Sequence, residues 1–221
     1  MSRTFRRWLF DAGATVYDWL TDQEVWRSHC RSLVEHFPDT DSPPRVLDLG
    51  IGPGVSGFGI IQGLPSARVT GLDFSAKMLR RAQRNANDEN VSIPLVQADA
   101  ARIPFRDATF DVVTGHSFLY LIPMRARVAK EVRRVLRPGG RCVFLEPAAH
   151  TDWRTWLRMS GNLRFRTSMV LWRLFSRRLG RFEPAALRDL LGAELDDVRV
   201  RSTLYGLGLV ATATAPRHDP D

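Results

Sequence analysis

The amino-acid sequence predicts an α/β fold, a Rossmann-like doubly wound sheet of seven strands, mostly parallel with one antiparallel strand near the C-terminus. Three observations predict it. Short apolar runs alternate with amphipathic stretches of helical length, the pattern of βαβ units with helices on both faces. A glycine-rich turn, Gly50-Ile-Gly-Pro-Gly54, directly follows the first apolar run, where a doubly wound sheet keeps its ligand site. The last two apolar runs are about four residues apart, enough for a hairpin and too few for a parallel crossover. With 221 residues the chain is one domain of ordinary size.

The elements follow in order. Residues 4–20 and 22–37 read as helices, with apolar positions such as Trp8, Val16, Trp19, Val25, Trp26 and Leu33. Asp39-Thr-Asp-Ser-Pro-Pro44 breaks the pattern before the first strand, Arg45–Leu49. A helix runs from the glycine turn to about Leu64. Strand Ala67–Leu72, helix Ser75–Asp88 and strand Ile93–Gln97 come next. Phe110–Thr114 is a strand, Arg125–Leu136 a helix and Arg141–Leu145 a strand. Pro184–Leu191 is a short helix, and Val198–Thr203 and Leu207–Thr214 form the closing pair. The expected segments are N-terminal helices over 1–44, a ligand-binding core over 45–147, a helical insertion over 148–195 and a closing β-hairpin over 196–215.

The charge is local. The net charge is +8, and residues 151–181 alone hold eight arginines against one acid, Asp152, a balance of +7. The rest of the chain is near neutral, which argues against a general polyanion binder. No apolar run reaches the ~20 residues of a membrane-spanning helix. The first residues, with a short apolar stretch broken by Asp11, are not expected to act as a secretory signal. Cys30 and Cys142 lie far apart, in neither metal nor redox spacing, and point to buried thiols in a reducing compartment. The five histidines form no zinc pattern, so no metal is expected.

The glycine turn carries the chemistry. Val46-Leu-Asp-Leu49 ends a strand, and glycines at 50, 52 and 54 follow before a helix. Asp73 ends the second strand, placed for ribose hydroxyls, and Asp99 follows the third. Three acids, Asp48, Asp73 and Asp99, thus fall at consecutive strand ends on the ligand edge. Gly52-Pro-Gly54-Val-Ser-Gly57 matches the dinucleotide signature G-x-G-x-x-G literally, and a nicotinamide-dependent oxidoreductase is the competing reading. That reading leaves Asp48 without a role. An amino-acid-bearing nucleotide gives it one, beside the ligand's ammonium group. No Gly-Lys-Ser/Thr follows the turn, which excludes a nucleoside triphosphate cradle.

At these residues the sequence resembles the class I S-adenosylmethionine-dependent methyltransferases, of the methyltransferase type 11 kind, over about residues 45–147. Val46–Gly54 resembles their glycine motif, Gly71–Leu79 the ribose motif and Gln97–Ala100 the adenine motif. Pro104–Val113 and Val135–Gly140 resemble the motifs of the fourth and fifth strands. The resemblance implies S-adenosylmethionine as cofactor and S-adenosylhomocysteine as product. It implies that Gly50, Gly52 and Gly54 line the methionine part and that Asp73 holds the ribose. Phe74 and Met78 then pack near the adenine, and Asp99 contacts its amino group with Ala100 alongside. Ile51 departs from the small residue common there and is expected to crowd the methionyl end.

Methyl transfer is an in-line displacement in which orientation does much of the work, and a base is needed only for a protonated nucleophile. The stretch Thr114–Tyr120 should lie beside the transferable methyl. His116 is the candidate base, with Tyr120 and Glu146 behind it and Ser117 next to the cofactor. The alternative for His116 is a loop residue that positions cofactor or helix. No Asn/Asp-Pro-Pro-aromatic or Pro-Cys sequence follows this strand, so DNA methylation is not expected. Phe10–Asp18 with Trp26-Arg27 resembles the lid helices of quinone C-methyltransferases and bacterial phosphatidylethanolamine N-methyltransferases. By that resemblance Tyr17 closes over cofactor or substrate; otherwise it is a packing residue of an amphipathic helix.

Trp153–Phe182 interleaves aromatic and aliphatic residues with the eight arginines. Arg166, Arg173, Arg177 and Arg181 fall near one helical face, and Phe165, Met169, Trp172, Phe175 and Leu179 near the other. Three readings stay open: a packing helix with a solvated arginine face, a peripheral membrane contact, and RNA binding by stacking. The expected activity is methyl transfer to a small, apolar or lipid-like acceptor by a cytoplasmic protein, peripheral at the inner face of the membrane if the second reading holds. A non-catalytic cofactor-binding module is the further alternative.

Overall fold

A computed structural model of the chain describes residues 24–151, 155 and 163–217. Seven strands form one sheet: β1 Arg45–Leu49, β2 Arg68–Asp73, β3 Leu95–Gln97, β4 Phe110–His116, β5 Leu136–Pro147, β6 Asp196–Thr203 and β7 Gly208–Thr214. Their order is β3-β2-β1-β4-β5-β7-β6. The pairs from β3 through β5 are parallel, and β7 runs antiparallel to both β5 and β6. The predicted fold class, with its antiparallel strand near the C-terminus, is the observed one.

The described helices are α1 Glu24–Ser32, α2 Val55–Gly63, α3 Ala76–Asp88, α4 Arg125–Val135, α5 Leu163–Leu179 and α6 Pro184–Gly192. Val128, Val132 and Val135 of α4 and Leu187 and Leu191 of α6 pack with Leu47, Leu49 and Phe144 in the main core. A second layer joins Trp26 of α1, Val143 and Leu145 of β5, and Phe165, Met169 and Trp172 of α5. A third lies between Val46, Val69 and Val112 of the sheet and Phe58 and Ile60 of α2. Central parallel strands covered in this way should read as unbroken apolar runs, and β1, with Val46 to Leu49 buried, does so.

Boundaries differ from the sequence expectation where glycine or proline misleads. The turn-like Arg137-Pro-Gly-Gly140 lies inside β5. Leu136 already pairs with Phe110, and the register shifts before Arg141 pairs with Val112. Gly140 fits there because a Cβ would come within 2.9 Å of the Arg137 carbonyl oxygen and 3.0 Å of the Asp111 one. The strand expected over Ile93–Gln97 is only three residues long, beginning after Pro94. Ser75 caps α3, its hydroxyl accepting the Met78 N–H at 3.3 Å.

The irregular stretch between β3 and β4 is held by one side chain. Arg134 donates to the carbonyl oxygens of Ile103 (2.9 Å) and Phe105 (2.8 Å) and to Asp107 Oδ1 and Glu131 Oε2. The chain leaves the sheet at Pro147 and meets it again at Phe182, whose N–H donates to Pro147 at 3.0 Å and whose carbonyl accepts the Ala149 N–H at 2.8 Å.

Candidate active site

The glycine turn stands at the C-terminal ends of β1 and β2. The N–H groups of Gly50 and Ile51 both donate to the Leu72 carbonyl, at 2.8 and 3.1 Å. Asp73 takes the Gly52 N–H on Oδ2 at 3.0 Å and the Ser75 N–H on Oδ1 at 2.8 Å. Burial raises the Asp73 pKa, opposed by its backbone N–H donors. Gly50, Gly52 and Gly54 all have positive φ, at 67°, 55° and 105°. The three glycines have different neighbours, however. A Cβ on Gly50 would lie 2.6 Å from the Phe118 Cβ, and one on Gly54 would lie 2.4 Å from the Phe58 ring. A Cβ on Gly52 would meet nothing closer than 3.8 Å. Gly52 therefore borders open space, the cradle expected for a ligand brought against bare backbone.

Asp48 has a different place from the one expected. It is completely buried beneath the turn. Its Oδ2 accepts the Ser56 hydroxyl at 2.5 Å and its Oδ1 the Thr114 hydroxyl at 3.0 Å. Burial pushes its pKa up to about 6, against those two hydrogen bonds and with some help from Asp73. It braces β1, α2 and β4 under the turn rather than facing a ligand ammonium group.

Ile51 also departs from expectation. It is buried, and its Cδ1 fills the space over Gly57 and Gly71, 2.9 and 2.3 Å from where their Cβ atoms would be. It points away from the ligand cradle and does not crowd it. The same contact explains Gly57, which makes room for a side chain and lies within α2. The literal dinucleotide match thus includes a packing glycine.

After β3, Asp99 Oδ1 accepts the Ala101 N–H at 2.9 Å. Phe74 is half exposed, whereas Met78 and Ala100 are buried. The exposed Phe74 ring beside the ends of β2 and β3 gives a flat apolar wall there.

The loop after β4 adjoins the glycine turn through Phe118, which packs on both Gly50 and Gly115. Glu146 of β5 holds this loop. Its Oε1 accepts the N–H groups of Phe118 (3.2 Å) and Leu119 (2.8 Å), and its Oε2 accepts that of Tyr120 (3.1 Å). Burial raises its pKa to about 7, with the three N–H donors and Arg125 opposing. Glu146 is therefore a clamp for the loop, a role a carboxylate in an apolar strand could have signalled. Tyr120 is buried in the main core.

His116 ends β4. Its ring stands edge-to-face on Trp26, centroids 5.4 Å apart, and Trp26 stands likewise on Trp172 at 5.5 Å. The Nε2 of His116, the hydroxyl of Ser117 and the Nε1 of Trp172 are out of solvent contact and have no hydrogen-bond partner among the described residues. Buried polar atoms are rarely left so. Burial, then repulsion from His29, lowers the His116 pKa to about 4. Ser117 has φ +55° and turns the chain out of the strand. Sequence reasoning missed Trp172 as a site residue; a tryptophan needing a partner for its N–H was the available signal.

Tyr17, Trp153, Trp156 and Leu157 lie outside the described residues. Among the described residues no cluster of three or more His, Cys, Asp or Glu could hold a metal ion. Cys30 and Cys142 are buried and free, and burial pushes both thiols up.

Over its sheet and glycine turn the chain is similar to class I S-adenosylmethionine-dependent methyltransferases. Residues 46–140 match the family described as "Methyltransferase domain". The chain is 35% identical over 144 residues to the ubiquinone/menaquinone biosynthesis C-methyltransferase of Desulfotalea psychrophila, covering 62% of this chain and 56% of that protein. It is 35% identical over 147 residues to the demethylmenaquinone methyltransferase of Lactiplantibacillus plantarum, covering 62% and 60%. The chain thus spans less than two thirds of the length of these relatives. Among solved structures, a putative S-adenosyl-L-methionine-dependent methyltransferase from Methanococcus maripaludis matches with a TM-score of 0.72 at 18% identity, over 96% of this chain and 95% of that one. The Haemonchus contortus phosphoethanolamine N-methyltransferase 2, in complex with S-adenosyl-L-methionine, matches with a TM-score of 0.70 at 14% identity, over 93% and 57%. At such identities the likeness is one of fold.

Proposed function

We propose that the chain transfers a methyl group from S-adenosylmethionine to a small, apolar acceptor of the quinone-like class. The observation that carries this reading is the junction at Phe118, where the glycine cradle adjoins the loop bearing His116. The names of the curated relatives support the acceptor class, as does the apolar layer of Trp26, Phe165, Met169 and Trp172 around His116.

The residues present fit the cofactor. Gly52 leaves room for its methionine part, Asp73 and Asp99 stand at strand ends suited to ribose and adenine, and Phe74 offers an apolar wall. When bound, S-adenosylmethionine supplies a methyl carbon made electrophilic by its sulfonium centre. Trp26 and Trp172 exclude water beside that position. His116 Nε2, buried and unpartnered, would take the proton that the acceptor's hydroxyl or acidic carbon gives up as the methyl carbon bonds to the acceptor and its bond to the sulfonium sulfur breaks, leaving S-adenosylhomocysteine. The Trp172 N–H donates to an acceptor oxygen.

Calorimetry with S-adenosylhomocysteine and with NAD, followed by transfer of labelled methyl to a panel of quinols, lipids and phenols, tests this. Binding of the first nucleotide and labelling of a quinol are expected. Binding of NAD alone would mean an oxidoreductase, and binding without transfer a non-catalytic module. Neutral His116 persists above about pH 4, so the rate should fall only as pH drops through about 4–5, not near the ordinary histidine value. His116→Gln should lower kcat by ~10²–10⁴-fold.

A further inference from the structure

Helix α5 has two faces. Phe165, Met169 and Trp172 are buried against Trp26 and the end of β5. On the opposite side Leu163 is 81% exposed, Val170 42% and Leu174 56%. Their spacing, i, i+7 and i+11, puts them within about 20° of one line along the helix. Thr167 lies on the same strip, and its hydroxyl is already spent on the Leu163 carbonyl at 2.8 Å. The strip thus holds three exposed apolar side chains and one threonine whose hydroxyl is bonded within the helix.

Charge borders this strip. Arg166 and Arg177 are exposed along one side of it. The other two arginines expected on that face are turned inward. Arg173 donates to the carbonyl oxygens of Ala148 at 2.5 Å and Ala149 at 3.5 Å, and Arg181 donates to Ser176 Oγ at 3.0 Å and to the Arg173 carbonyl. Burial lowers the pKa of both, that of Arg173 to about 10. The expected arginine face is thus corrected to an apolar strip edged with exposed arginine. No acid occurs anywhere in Leu163–Leu179.

We propose that α5 docks this protein on an anionic lipid bilayer, with Leu163, Val170 and Leu174 among the acyl chains and Arg166 and Arg177 at lipid phosphates. The pattern is that of an interfacial helix, apolar strip outward and cations beside it. No helix among the described residues is long and apolar enough to cross a membrane, so the contact is lateral. A second copy fits less well. Pairing two such strips would bring exposed arginines together with no acid on the helix to offset them, and three side chains supply little of the ~800 Å² a stable interface buries per partner. The inference deepens the proposed function and rests on it for its purpose: an apolar acceptor in the bilayer would lie one helix thickness, about 10 Å, from the His116 neighbourhood.

The test is sedimentation of the full chain with vesicles of phosphatidylcholine, with and without about one third phosphatidylglycerol. Binding to the anionic vesicles, weakened by raising salt, is expected. Leu163→Glu/Leu174→Glu should lower the bound fraction about tenfold or more while affinity for S-adenosylhomocysteine stays unchanged. Arg166→Gln/Arg177→Gln should weaken binding to anionic vesicles to a similar degree, and decides the matter if the first variant fails to fold. No binding by the wild type, equal binding to neutral vesicles, or undiminished binding by a folded variant overturns the proposal. So does a dimer in solution that the glutamates dissolve. Vesicle binding needs no acceptor, so failure of the methyltransferase reading would appear separately, as loss of S-adenosylhomocysteine binding by a protein that still sediments.

Discussion

At the scale of single residues, the loop after β4 depends on Glu146. Three consecutive N–H groups converge on one buried carboxylate, and a glutamine there has only one oxygen to offer them. Glu146→Gln should cost ~1–3 kcal/mol, the price of a buried donor left unpaired. The pH dependence has a definite sign. The folded-state pKa of about 7 lies above the ordinary 4.5, so between those values the folded protein holds more protons than the unfolded one. The wild-type contribution is present in full below pH 4.5 and is lost as pH rises toward about 7. Urea denaturation at pH 5 and pH 8 should therefore show a larger gap between wild type and Glu146→Gln at pH 5. Arg125 and the N–H donors act on Glu146 in both measurements, so a gap independent of pH would remove the buried carboxylate from this role.

At the scale of elements, the β1–α2 turn separates support from reception. Gly50 lies against Phe118 and Gly52 against open space. Gly50→Ala should destabilise the fold through both positive φ and collision with the loop that Glu146 clamps. Gly52→Ala pays only the backbone strain of ~1 kcal/mol and should chiefly lower cofactor affinity. Thermal melting and calorimetry on the two variants read the two effects apart. Much of this turn was legible in sequence, since glycine spacing and acids at strand ends follow from local backbone needs. Less legible was what depends on distant partners. Asp48 looked like a ligand group, but its role comes from Ser56 and Thr114, the second of which is 66 residues away. Ile51 looked obstructive until Gly57 and Gly71 were seen to make its pocket. Helical spacing grouped four arginines on one face, yet Arg173 turns in to the carbonyls of Ala148 and Ala149 and Arg181 to Ser176 and the Arg173 carbonyl, partners that the spacing does not show. The proline and glycines of β5 read as a turn because local preference carries no information about the ladder on either side.

At the scale of the molecule, a nucleotide bound at the ends of β1 and β2 and the loops after β3 and β4, as proposed, would tie together strands distant in sequence. A ligand bound only by the folded chain stabilises it by mass action, about 2.7 kcal/mol at a hundred times its dissociation constant. S-adenosylhomocysteine at that level should raise the unfolding midpoint and NAD should leave it unmoved; thermal scans with each nucleotide report this. Charge is distributed to match. The named side chains of the cradle are acids, while the excess positive charge of the sequence belongs to residues 151–181.

The crossing of Pro147 and Phe182 has a consequence of its own. The outgoing and returning chain touch through two backbone hydrogen bonds, beside a parallel bridge between Ala148 and Phe182. Between them α5 returns to the body, with Phe165, Met169 and Trp172 buried against Trp26 and β5. Because the closure entropy of a loop grows only slowly with its length, residues added on either side of α5 would cost little while β5 and β7 keep their register. Length can thus vary at this end of the sheet without disturbing the glycine turn.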